Sequence, residues 1–260
     1  MSLMPSMIEL LARARVDLRM GLPVVLTGDG SATLAIAAEN LNIERLSDLR
    51  ALGDVTLALT ARRAETLKAR VYDDDVARIT VPKDADHSWI HALANPADDL
   101  NSPMKGPFTS QRTGSAELHR LAIALVKSAR LLPAALLVPL NDAGTFAGNH
   151  GLTLINHAAA TPLLSQSSPL HPVAAARLPI EAADAGRLHI FRPEDGNEEH
   201  YAIEIGCPDR SAPVLARLHS ACFTGDVLGS LKCDCGPQLR GALAQMGAEG
   251  SGVLLYLNQE

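Results

Sequence analysis

The sequence predicts a mixed α/β (α+β) protein of two domains, 1–172 and 173–260. Three observations predict it. Segments with helical apolar spacing alternate with short apolar runs along the whole chain. A polar stretch, Ser165-Gln-Ser-Ser-Pro169, reads as a linker, and from Ala176 the texture shifts to strand-like runs parted by Gly and charged turns. The chain has 260 residues, enough for two separate cores. Aromatic residues are only 3% of it, so those cores must be built from Ala, Leu, Val and Ile.

The elements follow in order. Met7 to Met20 carries Ile8, Leu11, Ala12, Arg15 and Leu18 at helical spacings, with Gly21 as a stop. Pro23 to Thr27 is a short buried strand closed by Gly28-Asp29-Gly30, a turn rather than a phosphate loop, because the lysine and adjoining Ser/Thr are missing. Leu34 to Leu41 is apolar, Ile43 to Leu52 is helical up to Gly53, Val55 to Thr60 has strand character, and Ala61 to Val71 reads as a helix. Asp73-Asp74-Asp75 is expected to be a solvated turn, since three adjacent acids cannot all point at one ion. Ile79 to Val81 is a strand. The proline-rich stretch Asp84 to Arg112 is expected to be a long loop with one helical turn near Trp89, leaving His87 and His91 on the surface.

Ser115 to Arg130 is the clearest helix of this half, and Leu131 to Leu140 a buried strand. Thr145 to Pro172 is expected to be a loop with a short helix. Beyond it, Leu178 to Ile180, Leu188 to Phe191 and Tyr201 to Ile205 read as strands, the last two as a hairpin across Pro193 to Asn197. Val214 to His219, Pro237 to Met246 and Gly252 to Leu257 read as strand, helix and strand, a parallel crossover unit.

A net charge of −6 gives no general attraction to nucleic acid or to an anionic membrane. No apolar run approaches the roughly 18 residues of a membrane span, and the N-terminus does not resemble a signal peptide. A cytoplasmic location is expected, with no nucleic-acid or membrane partner. There the four cysteines are ligands or bystanders rather than disulfides.

Three of those cysteines, Cys222, Cys233 and Cys235, fall in one stretch of 22 residues, RLHSACFTGDVLGSLKCDCGPQ, along with His219, Asp226, Asp234, Arg217 and Lys232. As thiolates they are soft donors suited to zinc, and the Asp234-Cys235-Gly236-Pro237 run permits the tight turn that C-x-C ligation needs. Three protein ligands leave a fourth position for water, the pattern of a catalytic zinc that supplies hydroxide. Cys207 could instead complete a closed structural site, although it reads more simply as a small buried hydrophobe. Spacing leaves catalytic zinc, structural zinc and no metal all open.

The segment LHSACFTGDVLGSLKCDCGPQL strongly resembles the signature of the GTP cyclohydrolase II family of riboflavin biosynthesis. The similarity reaches back to about Ala176, through Leu178-Pro-Ile180 and the EEH of Glu198 to His200, and forward to YLNQE at the C-terminus. The resemblance implies a partial cyclohydrolase II domain with one zinc on Cys222, Cys233 and Cys235. It implies GTP contacts from Arg217, Leu218, His219, Ser220, Ala221 and Gln238, with Arg217 near the phosphates, and from Glu260, which begins the family's E-G-R motif. The implied reaction is zinc-dependent hydrolysis of GTP, with magnesium, to 2,5-diamino-6-(5-phosphoribosylamino)pyrimidin-4(3H)-one, formate and pyrophosphate, by a homodimer.

Two departures stand out. Ala221 replaces a glutamate that many members carry. The catalytic aspartate, arginine and tyrosine of the family would lie beyond Glu260, so a truncated and inactive chain is expected. A non-catalytic GTP-binding regulator that keeps the zinc fold is the alternative, and a zinc-stabilised interaction module, needing Cys207 as a fourth ligand, is a third. In the N-terminal half, PVVLTGDGSATLAIAAENL resembles the opening of 3,4-dihydroxy-2-butanone 4-phosphate synthase, with the acidic cluster of that family reduced to Asp29. That resemblance implies a degenerate, structural version of the synthase domain.

Overall fold

Apolar runs without alternation demand a sheet covered on both faces, and the first half of the chain builds one. The computed structural model describes residues 3–259 apart from Asp29, Asp98 and Ser102. The chain divides into two units, Met1–Ser167 and Ser168–Glu260.

The first unit runs α1 (Met7–Arg19), β1 (Val24–Gly28), β2 (Ser31–Ala37), α2 (Ile43–Leu52), β3 (Thr56–Thr60), α3 (Ala61–Thr66), β4 (Val76–Thr80), α4 (His87–Ala94), α5 (Glu117–Ser128), β5 (Ala134–Pro139), α6 (Ala143–His150), β6 (Leu154–Asn156) and α7 (His157–Ser165). Its sheet has the order β4-β3-β5-β2-β1-β6. Neighbours are antiparallel except β1 and β6, which run parallel. Successive strand residues point to opposite faces, so Val25 joins one core while Val24 and Leu26 join the other. Leu46 and Leu49 of α2, Ile90 and Leu93 of α4 and Ala147 of α6 cover the first face. Leu11, Ala14 and Leu18 of α1, Leu121 and Leu125 of α5 and Ala160 of α7 cover the second. Each fully buried Leu or Ile here contributes about 1.5–3 kcal/mol.

Helix starts are set by side chains that accept the orphan N–H groups of a first turn. Ser6 and Glu9 form a capping box on α1, the Ser6 N–H donating to Glu9 Oε2 at 2.7 Å. Asn42 and Asp86 accept from Arg45 and Trp89, each at 2.8 Å. The expected helix over Ala61 to Val71 stops at Thr66, and Lys68 turns the chain through the left-handed region at φ 61°. The stretch Asp84 to Arg112, expected to be mainly loop, contains α4. The chain after it is tied down where Asp99 accepts from Arg63 Nη2 at 2.9 Å and from Lys105. Those cations, Arg63 first, hold the Asp99 carboxyl well below the usual range.

Asp73 and Asp75 are not merely solvated. Asp73 accepts from the buried Arg78 at 2.8 Å, and Asp75 from Arg120 at 2.7 Å. β1 and β2 meet with Gly28 paired to Ser31 and the Ser31 hydroxyl donating to the Gly28 carbonyl at 2.7 Å, where a turn was expected. Asp29 itself lies outside the described residues.

The second unit comprises β7 (Leu170–Arg177), β8 (Gly186–Pro193), β9 (His200–Ile205), β10 (Ala216–Ser220), α8 (Phe223–Asp226), α9 (Cys235–Glu249) and β11 (Gly252–Leu257). Its sheet order is β10-β11-β9-β8-β7. Residues 168–172, placed in the first domain by sequence, lie in this unit and include the start of β7. Leu178 to Ile180, expected to be a strand, falls beyond β7, with Ile180 making an isolated bridge to Ala183. The β8–β9 hairpin forms as expected. β10 and β11 pair in parallel, with α8 and α9 between them. A core of Ile205, Met246 and Leu254 packs α9 on one face, and Gly250, left-handed at φ 79°, ends that helix.

Candidate metal centre

β10 ends at Ser220 and delivers the chain into a tight turn, Cys222 to Asp226, while the first turn of α9 presents Cys235. This brings the Sγ atoms of Cys222, Cys233 and Cys235 within 4.8 Å of one another, the one cluster of three His, Cys, Asp or Glu ligand atoms among the described residues. Cys222 and Cys233 Sγ are 3.9 Å apart. Sulfurs bound tetrahedrally to zinc at about 2.3 Å stand about 3.8 Å apart, so the spacing suits that ion. Glycine at 225 is required by close approach. A Cβ there would stand 2.8 Å from both Cys233 Sγ and Cys235 Cβ, and 3.3 Å from Cys222 Sγ.

The three thiols are electrostatically unequal. The Thr224 hydroxyl, with its Oγ1 3.6 Å away, and the Gly225 N–H pull the Cys222 thiol below its ordinary pKa. Hydrogen bonds with Cys222 and Cys233 push Cys235 up to about 12. Three crowded thiols resist losing all their protons until a cation offsets the charge, which is the behaviour of a metal-binding set. Cys207 is exposed and outside the cluster, not the buried hydrophobe expected from sequence.

Behind the thiols sits a polar network. The buried Asp226 accepts from the Cys222 N–H at 3.0 Å and the Tyr256 hydroxyl at 2.9 Å, and His219 Nε2 lies 3.1 Å from both its oxygens. Burial raises the carboxyl's pKa, but the Cys222, Tyr256 and His219 bonds together outweigh it and leave the group below its usual value. Burial and the Asp226 charge push Tyr256 up to about 12.

Of the other residues singled out from sequence, Arg217 donates from Nη2 to Gln238 Oε1 at 2.7 Å, and Gln238 Nε2 donates to Asp234 Oδ2 at 2.7 Å. Arg217 Nε is buried with no hydrogen-bond partner among the described residues. Leu218 is exposed, and Ser220 accepts from Gln259 at 3.0 Å. Ala221 is half-buried, its N–H donating to Leu257 O. The His219 side chain is buried and turned to Asp226, away from solvent. Glu260 lies outside the described residues. Sequence reasoning gave no role to Gly225, Asp226 or Tyr256. The TGD that follows Cys222 was the available signal for the first two, and Tyr256 has none short of the strand register.

No helix among the described residues is long and apolar enough to cross a membrane. Residues 171–260 match the family model described as GTP cyclohydrolase II. A protein of Azospirillum brasilense named GTP cyclohydrolase-2 is 40% identical over 257 residues, covering 95% of this chain and 66% of that protein. The GTP cyclohydrolase-2 of Pseudomonas aeruginosa (strain LESB58) is 53% identical over 88 residues, covering 34% of this chain and 42% of that protein. The chain thus spans just under two thirds of the first relative and less than half of the second. Among solved structures, a two-domain 3,4-dihydroxy-2-butanone 4-phosphate synthase from A. baumannii is 16% identical, with a TM-score of 0.47, covering 96% of this chain and 82% of that one. The C-terminal segment, residues 171–260, matches the GTP cyclohydrolase II family, and over that segment the chain is similar to its members.

Proposed function

We propose that residues 171–260 are the zinc-binding part of a cyclohydrolase II that acts on GTP, opening the imidazole ring and releasing C8 as formate, with pyrophosphate leaving with magnesium assistance. The observation that carries this is the cluster of Cys222, Cys233 and Cys235, whose spacing suits zinc, inside a segment that matches that family. What the ion supplies when bound is Lewis acidity, which makes water a nucleophile at neutral pH. The chain's own residues do the rest. Arg217 keeps a buried Nε without an acceptor among the described residues, next to a Gln238 that is itself oriented by Asp234. A guanidinium so placed suits a phosphate oxygen and would stabilise charge on departing pyrophosphate. Leu218, Ser220 and Ala221 would line the nucleotide through the strand edge. His219 would contribute through its backbone, since its side chain is committed to Asp226.

The N-terminal unit, by this reading, is a structural version of the synthase domain. The strand pairing supports that: where the synthase family has an acidic cluster, the chain closes β1 onto β2 with Gly28 paired to Ser31. A homodimer in the cytoplasm completes the proposal.

The test is formate release from GTP by the 260-residue chain with zinc and magnesium present, compared with Arg217→Ala and Cys235→Ser. Release that both substitutions abolish supports the proposal. Zinc and GTP bound tightly with no formate released would instead favour a nucleotide-sensing role.

A further inference from the structure

We propose that Asp226, held by Tyr256 and His219, is the positioning residue of the metal centre. It sets the Cys222 thiol in place through the backbone rather than by touching the metal. The inference rests on the zinc reading above and concerns how this chain builds the site.

The geometry runs from sheet register to thiol. His219 on β10 and Tyr256 on β11 are direct partners across a parallel strand pair. Partners in register present their side chains on the same face, and here the two rings stack with centroids 5.5 Å apart and an interplanar angle of 20°. Their polar tips therefore converge on one point, and Asp226 occupies it with a side chain only 4% exposed. The carboxylate then reaches back four residues to the Cys222 N–H at 3.0 Å, while the Asp226 N–H donates to the Cys222 carbonyl at 2.7 Å. Both backbone polar groups of Cys222 are thus fixed by the same residue. With its backbone clamped from both sides, Cys222 retains little freedom beyond the rotation that aims its sulfur. The turn so closed also places Gly225 against the other two thiols.

A carboxylate in this position is expensive to bury unless it is well hydrogen-bonded, and three donor groups reach it, His219 Nε2 lying between both oxygens. Removing the clamp leaves the three cysteines in the sequence but frees the first of them. Loss of an outer partner of this kind typically weakens metal binding by about 10–100-fold.

The test uses the full chain, titrated with zinc against a chromophoric chelator. It is repeated with cobalt(II), whose thiolate charge-transfer and ligand-field bands report the geometry around the ion. Asp226→Asn keeps the shape and removes the charge. It is expected to weaken zinc binding by about 10–100-fold and to shift the cobalt bands. Tyr256→Phe keeps the ring stacked on His219 and removes one donor, with an expected loss of about tenfold. Should Asp226→Asn not fold, as judged by circular dichroism, Tyr256→Phe decides the matter. Wild-type zinc affinity and unchanged cobalt bands in the folded variants would overturn the positioning role while leaving the zinc reading intact. A wild-type chain that binds no metal would overturn both.

Discussion

Gly225 shows how little room the thiol cluster leaves. A single added methyl would sit 2.8 Å from a cysteine sulfur and 2.8 Å from another cysteine's Cβ, so Gly225→Ala must push Cys233 or Cys235 outward. The expected result is at least a tenfold loss of zinc affinity at little cost to the first unit, read by metal titration and by a thermal melt. His119 makes a different residue-scale prediction. Burial first, then the Arg78 charge, lower its pKa from 6.5 to about 4, and its Nδ1 has no hydrogen-bond partner among the described residues. A histidine kept neutral by the fold binds fewer protons folded than unfolded. Its contribution is therefore complete above pH 6.5 and lost as pH falls towards 4. The shift corresponds to at most about 3 kcal/mol. Denaturant midpoints measured between pH 7 and 4 should fall, and His119→Gln should flatten that fall.

At the scale of elements, local signals decide whether a segment can be read. α2 follows its predicted bounds because Asn42 starts it and Gly53 stops it, both visible in the sequence. α1 is equally legible, and its capping box gives a direct test. Ser6→Ala should cost about 1 kcal/mol of stability, measured by chemical denaturation. β7 was invisible for the opposite reason. It is an edge strand with every residue exposed, so no burial pattern marks the sequence. α4 realises the helical turn expected near Trp89 but is longer, because its cap, Asp86, and its buried Ile90, Leu93 and Ala94 carry it through two turns. The turn at Asp73 to Asp75 is legible as a turn, but its ion pairs are not: Arg78 follows five residues on in β4, and Arg120 comes from α5, which only the fold brings near. The cysteine triad was legible because all three thiols lie within fourteen residues of chain, whereas Tyr256 reaches the site only through the β10–β11 pairing.

Taken as whole units, the two halves bear different loads. The first carries two cores on either side of one sheet, built largely from Ala, Leu, Val and Ile as the scarcity of aromatics requires. Leu136→Ala, at a fully buried position in the middle of that sheet, should cost about 2–5 kcal/mol. The second unit has a smaller core around Ile205, Met246 and Leu254 and commits its polar groups to holding the cysteine turn. A bound ion would stabilise that unit in proportion to its affinity. The most direct measurement is zinc content per chain, for the wild type and for Cys222→Ser, Cys233→Ser and Cys235→Ser, after dialysis against a weak chelator. The account predicts one zinc in the wild type and none in any of the three variants. A wild type free of zinc, or full occupancy in the Cys235→Ser variant, would contradict it.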